Sequence, residues 1–226
     1  MRAIAFDLDG TLFDHRTAAT SAVHEWMSAN SWVDGGDAIE RWFAIEDRRF
    51  GEYAAGSVSL QEQRRRRVRD FMEFLDVTIA DEHVDACFDG FLSRYRAHWI
   101  GFPDARATLT ELSARGYVLA VLTNGHFEQQ RDKLAAIGLL DVVTHVLASA
   151  DLPAFKPDRR AFDALCAALD MPAHDIAYVG DDVCADAFGA RDAGLRSIHL
   201  DRTGQVGPLP GVAHIRELSD LLTQLS

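Results

Sequence analysis

From Pro103 to the C-terminus, short apolar runs alternate with amphipathic segments about ten residues long, and few folds admit that alternation. The amphipathic stretch Ala105–Arg115 leads through Gly116 into the run Tyr117–Leu122. The spacing predicts a helix over Phe127–Ile137 with Gly138 as C-cap, then a strand at Thr144–Ser149. Pro157 is placed to open a helix over Asp158–Leu169, which precedes the strand Ile176–Val179 and Gly180. A helix over Ala185–Ala193, the strand Ser197–Leu200 and a last helix near Ile215–Leu225 complete the series.

Repeated βα units of this kind predict an α/β fold with a doubly wound, Rossmann-like parallel sheet. Residues between Asp14 and about Gly101 read differently, because strand-like runs are missing and helical spacing dominates Ala19–Met27, Ile39–Phe50, Leu60–Leu75 and Glu82–Trp99. Gly35-Gly36 and the stretch Gly51 to Gly56 punctuate those helices. The expected organisation is an α/β core domain formed by residues 1–14 and 102–226, with an all-helical cap domain, residues 15–101, inserted into it. A helical insertion over the carboxyl end of a sheet would exclude water and select substrates.

The N-terminus supplies the first strand and the first chemistry. Ile4-Ala5-Phe6 runs into Asp7-Leu8-Asp9-Gly10-Thr11, so an apolar strand stops at two carboxylates one residue apart. Desolvating adjacent like charges is costly unless something compensates them, which makes catalysis a better reason for the pair than stability. A calcium loop of the EF-hand type is excluded, since counting from Asp7 puts Thr11 and Leu12 where an acid or amide and a glycine are needed.

Later strand ends repeat the theme. The second runs into Thr123-Asn124-Gly125, a hydroxyl, an amide and free backbone N–H groups near a helix start, suited to an anion. Lys156 is one of two lysines in a chain whose other 21 cationic side chains are arginines, which reads as a compact ammonium wanted in that loop or as a solvated lysine at a helix start. Asp181 and Asp182 follow Gly180, and Asp186 lies one helical turn on; carboxylates so clustered suit a hard divalent cation such as Mg²⁺. Capping is the structural alternative for Asp186.

These segments, taken in order, resemble the four motifs of the haloacid dehalogenase superfamily, and the helical insertion resembles its C1-type cap. The stretch Thr123 to Phe127 with Lys156-Pro157-Asp158 is most similar to the pyrimidine nucleotidase and N-acylneuraminate-9-phosphatase branch. The resemblance implies that Asp7 is the nucleophile, giving an aspartyl-phosphate, and that Asp9 is the general acid and base, a role that calls for a raised pKa. It implies Mg²⁺ held by Asp7, the Asp9 carbonyl and Asp181, with Asp186 as a further ligand or in the outer shell. Lys156, Thr123, Asn124 and Gly10 would bind the phosphoryl group. Asp9 argues for a phosphatase over a true dehalogenase, and phosphonate hydrolysis through a cap lysine is excluded because no lysine lies between Asp14 and Gly101. A phosphomutase and a non-catalytic phosphate- or metal-binding regulatory module stay open as alternatives.

The remaining features limit partners. The net charge of −12 argues against nucleic-acid and anionic-membrane surfaces, leaving a small phosphorylated metabolite as the expected partner of a monomer or homodimer. Three separated cysteines and the lack of a leader or a long apolar run are expected of a cytoplasmic protein. The run Arg64–Arg67 with Arg69 reads as a salt-bridged helix face or as one arginine meeting a substrate anion. Trp42 reads as helix packing or as a contact to the leaving group.

Overall fold

The computed structural model describes residues 1–33 and 36–224. It divides into two compact units, one made of Met1–His15 with Trp99–Ser226, the other of Arg16–His98.

The first unit is a six-stranded parallel sheet in the order β3-β2-β1-β4-β5-β6, built from β1 (Ala3–Phe6), β2 (Val118–Thr123), β3 (His145–Ala148), β4 (Ile176–Gly180), β5 (Arg196–Leu200) and β6 (Ala213–Ile215). Every residue of β1 and β4 is buried, as expected of central strands covered on both faces. Phe162, Leu165 and Leu169 from one face of α7 (Arg159–Leu169) pack with Ile176, Tyr178, Ala120 and Leu122 of the sheet in one core. Asp158 caps α7, accepting from the Arg160 N–H at 2.9 Å, so Pro157 precedes the cap and does not occupy the first helical position.

The strand order reverses between β1 and β4, where the register aligns Phe6 with both Val121 and Val179. A crevice beyond the carboxyl ends of the strands opens at such a switch point. Asp7, the loop after Thr123 and Asp181 all leave the sheet there.

Two expectations are corrected. The chain after Pro210 forms the edge strand β6, a 3₁₀ turn at Leu218–Asp220 and the short α9 (Leu221–Gln224), where one helix from Ile215 to Leu225 was expected; Leu225 lies outside the described residues. The segment expected as a helix over Ala185–Ala193 starts earlier, as a wider π-helical turn at Val183–Phe188 that runs into α8 (Gly189–Asp192).

The second unit holds most of α1 (His15–Ala29) and all of α2 (Ala38–Ala54), α3 (Leu60–Phe74) and α4 (Val84–Ala97). The expected break at Gly35 falls outside the described residues. Its core is aromatic: Trp42 packs against Trp26, Phe71 and Phe91 with ring centroids 5.6, 5.1 and 4.4 Å away. Trp42 is completely buried there, which settles its role as packing. Three arginines of α3 are paired, Arg65 with Asp85 at 2.6 Å, Arg66 with Glu62 at 3.0 Å and Arg69 with Asp81 at 3.0 Å, while Arg64 lies over the Phe88 ring at 5.3 Å. Arg67 points inward, over the Trp42 ring at 4.5 Å and against Glu46 at 2.9 Å.

Candidate active site

Three loops of the α/β unit bring Asp7, Asp181, Asp186 and Lys156 together. Asp7 and Asp186 each accept from Lys156 Nζ at 2.6 Å, and Asp7, Asp181 and Asp186 each offer a carboxylate oxygen within 4.8 Å of the others. Thr11 donates to Asp181 Oδ1 at 3.0 Å. The Tyr178 phenol accepts from Lys156 at 2.8 Å and donates to the Leu122 carbonyl at 2.8 Å, fixing the ammonium from the side of the sheet.

Two glycines make room for this crowding. A Cβ on Gly10, whose φ is +86°, would fall on the Asp181 carboxylate, and one on Gly180 would fall on that of Asp186. Gly10 is therefore a notch for an acid as well as a turn.

Electrostatics distinguish the groups. Burial raises the pKa of Asp7 and, although Lys156 pulls it down, Asp186 and Asp181 help to keep it well above the carboxylate range. Burial and Asp186 push Asp181 up to about 7. Burial works against the Lys156 ammonium, but Asp186 and Asp7 outweigh it and hold its pKa above the ordinary value. Three carboxylates against one ammonium leave two negative charges uncompensated. A divalent cation would supply the missing charge, and an all-oxygen donor set is one that Mg²⁺ takes, so these residues fit it.

Capping, the alternative weighed for Asp186, falls to its neighbour Asp182. Asp182 is the cap, accepting from the N–H groups of Cys184 at 2.7 Å and Ala185 at 2.6 Å, while Asp186 turns inward to Lys156.

Asp9 lies outside this cluster. Its carboxylate accepts from Lys133 Nζ at 2.6 and 2.9 Å and from Gln130 Nε2 at 3.0 Å. Burial raises its pKa, but Lys133, His15 and Gln130 outweigh burial and leave it lowered, the reverse of the direction expected for a general acid. Thr123 Oγ accepts from Gln130 Nε2 at 2.8 Å, which leaves its own proton to donate. The Asn124 side chain is committed to the Lys156 backbone, donating to its carbonyl at 3.0 Å and accepting from its N–H at 2.9 Å. Asn124 therefore locks the lysine loop with its amide and keeps only its backbone for a ligand.

Lys133, Gln130 and Tyr178 were not anticipated. Lys133 carried a signal all the same, because the argument that singles out Lys156 in an arginine-rich chain applies equally to the only other lysine.

Residues 1–194 match the haloacid dehalogenase-like hydrolases, and the chain belongs to that family. Phosphoserine phosphatase of Thermus thermophilus is 39% identical over 109 residues, 48% of this chain and 44% of that protein, so the chain spans under half of that relative. Ribulose-1,5-bisphosphate 5-phosphatase of Halopiger xanaduensis is 29% identical over 205 residues, 88% of this chain and 84% of that one. (S)-2-haloacid dehalogenases are relatives too. The HAD-hydrolase YfnB of Bacillus subtilis, solved bound to magnesium, shares the fold with a TM-score of 0.85 and 20% identity, over 99% of this chain and 98% of that one.

Proposed function

We propose that the chain is a Mg²⁺-dependent phosphatase that hydrolyses a small phosphate monoester through an aspartyl-phosphate on Asp7. The observation that carries this reading is the separation of two neighbouring carboxylates into different surroundings, Asp7 among cation-demanding acids and Asp9 beside Lys133 and Gln130. Such separation assigns one acid to covalent chemistry and the other to proton transfer. A hydrolytic dehalogenase has no leaving alkoxide to protonate and no use for Asp9 in that role.

Asp7, Asp181 and Asp186, with the Asp9 carbonyl, are the groups we assign to Mg²⁺, which when bound supplies positive charge against the phosphoryl oxygens. Lys156 orients the Asp7 carboxylate for attack on phosphorus. Thr123 Oγ and the Asn124 N–H donate to the phosphoryl oxygens, and the Gly10 backbone borders them. Asp9, having taken up a proton from solvent, gives it to the leaving oxygen as its bond to phosphorus breaks. It then accepts a proton from the water that attacks the phosphoryl group on Asp7, which returns Asp7 to a carboxylate and releases phosphate. Lys133 favours the carboxylate form of Asp9, the form that the second of these steps needs.

A nucleoside monophosphate or a sugar phosphate fits this reading, in line with the resemblance to pyrimidine nucleotidases and with the phosphorylated sugar in the name of the Halopiger relative. We assign leaving-group choice to the cap domain, residues 15–101. The test is phosphate release over nucleoside monophosphates, sugar phosphates and p-nitrophenyl phosphate with Mg²⁺, alongside intact mass spectrometry of the quenched protein. Release with transient gain of one phosphoryl group, lost in Asp7→Asn, is expected. Release of halide from a 2-haloacid without release of phosphate from any ester overturns the reading.

A further inference from the structure

Gln130 and Lys133 sit three residues apart on α6 (Phe127–Ala136), so their side chains project from one face of it. Both are almost wholly buried, at 2% exposure each. Burying an ammonium costs several kcal/mol unless it is paired and hydrogen-bonded, and Lys133 is satisfied by both oxygens of Asp9 and by the Phe13 ring, 4.8 Å from Nζ. Gln130 extends the contact: the same Nε2 reaches Asp9 Oδ2 at 3.0 Å, Thr123 Oγ at 2.8 Å and the Asn124 carbonyl at 3.3 Å. One helix therefore grips the second acid of the first loop and the hydroxyl of the second loop at once.

Resting on the phosphatase reading above, we propose that Lys133 and Gln130 are positioning residues that hold the Asp9 carboxylate in the one orientation from which it exchanges protons with the leaving oxygen and with water. Neither residue needs to touch substrate. Asp9 is half-exposed and its backbone lies in a turn opened by Gly10, so without these donors its carboxylate would rotate freely among rotamers. A carboxylate locked by three hydrogen bonds pays its orientational entropy on folding instead of at the reacting geometry.

The test uses the full chain with Mg²⁺ and an ester series from p-nitrophenyl phosphate through phenyl phosphate to an alkyl phosphate. Lys133→Met is expected to lower kcat on the alkyl ester by about 10²-fold or more, with KM changed by less than about threefold. On p-nitrophenyl phosphate it should give a burst of one p-nitrophenol per protein and leave Asp7 phosphorylated, because the first step needs no acid and the second still needs a base. Gln130→Leu should give the same pattern more weakly, and Lys133→Arg should recover part of the loss. These two variants keep a cation at residue 133 and carry the test if Lys133→Met does not fold. Equal losses on all three esters without a burst would make the pair a simple brace between α6 and the first loop and overturn the proposal. So would a raised KM at unchanged kcat. If the wild-type protein itself never gains a phosphoryl group at Asp7, the phosphatase reading falls and this inference with it; if it does, the variants judge the inference alone.

Discussion

The two units bury charge in opposite ways. In the α/β unit, Lys156 is buried against two carboxylates and the acids around it outnumber it, so Asp7 and Asp181 are left with raised pKa values. In the helical unit, Arg65, Arg66 and Arg69 meet their acids near solvent, and Arg67 goes inside, paired to Glu46 and lying on an aromatic face. Paired surface charge adds little to stability, whereas an unbalanced buried cluster is a cost that a fold keeps for chemistry. The difference supports assigning the proposed chemistry to the unit whose electrostatics are incomplete.

Asp7→Asn strikes that incompleteness hardest. Phosphate release should fall by more than about 10³-fold, since the amide keeps the shape and loses the nucleophile. The melting temperature should hold or rise, because one of three crowded carboxylates is gone. A variant that keeps more than about a hundredth of the rate would erase the contrast between the units.

The helical unit should fail by unfolding and not by lost chemistry. Trp42→Ala empties the middle of the aromatic cluster and should cost about 3–5 kcal/mol in denaturant unfolding. If it leaves stability unchanged and alters substrate choice instead, the packing role argued for Trp42 is wrong.

A milder probe is proton against metal. Asp181 has a folded pKa raised to about 7, so its contribution to stability is full below the unfolded carboxylate value and is lost as pH rises through about 7. Metal-free protein should therefore melt lower near pH ~8 than near pH ~5, Mg²⁺ should remove the difference, and Mg²⁺ affinity should weaken by up to about tenfold per unit as pH falls below about 7. Asp181→Asn should abolish the Mg²⁺-induced rise in melting temperature, whereas Asp182→Asn should retain it. EDTA should stop turnover and Ca²⁺ should restore it poorly. The smallest effect belongs to Arg65→Ala, which breaks an exposed pair with Asp85 and should barely move the melting curve; a clear loss would show that the surface pairs of α3 act as a network.

Much of this arrangement was legible in the sequence because its residues follow strands. Asp7, Thr123, Asn124, Lys156 and Asp181 each lie at or soon after an apolar run, where periodicity fixes the end of an element and topology fixes where that end points. Gln130 and Lys133 lie in mid-helix, where a polar residue reads as a solvent-facing one, and only the path of α6 past the first loop reveals their target. The edge strand β6 is three residues long, too short for alternation to show, and the π-helical turn after Asp182 follows from local capping and the inward pull on Asp186, neither of which has a sequence period. The charge run of α3 carried two readings, and the acids that separate them, Asp81, Asp85 and Glu62, come partly from other turns of the chain.

The place of β1 in the sheet has a consequence for how the molecule is made. This strand is made before the other five of the sheet, yet both its partners, β2 and β4, come after the whole helical insertion. Ala3–Phe6 must therefore wait for its strand partners while Arg16–His98, a compact unit of local helical contacts, emerges. Asp7 meets Asp181 only when β4 closes on β1, so the cation seat is completed by a late pairing of distant segments. If Mg²⁺ binds there as proposed, its binding would report that the sheet has closed, and the ion, having no equal site in the unfolded chain, would draw the last step of folding forward.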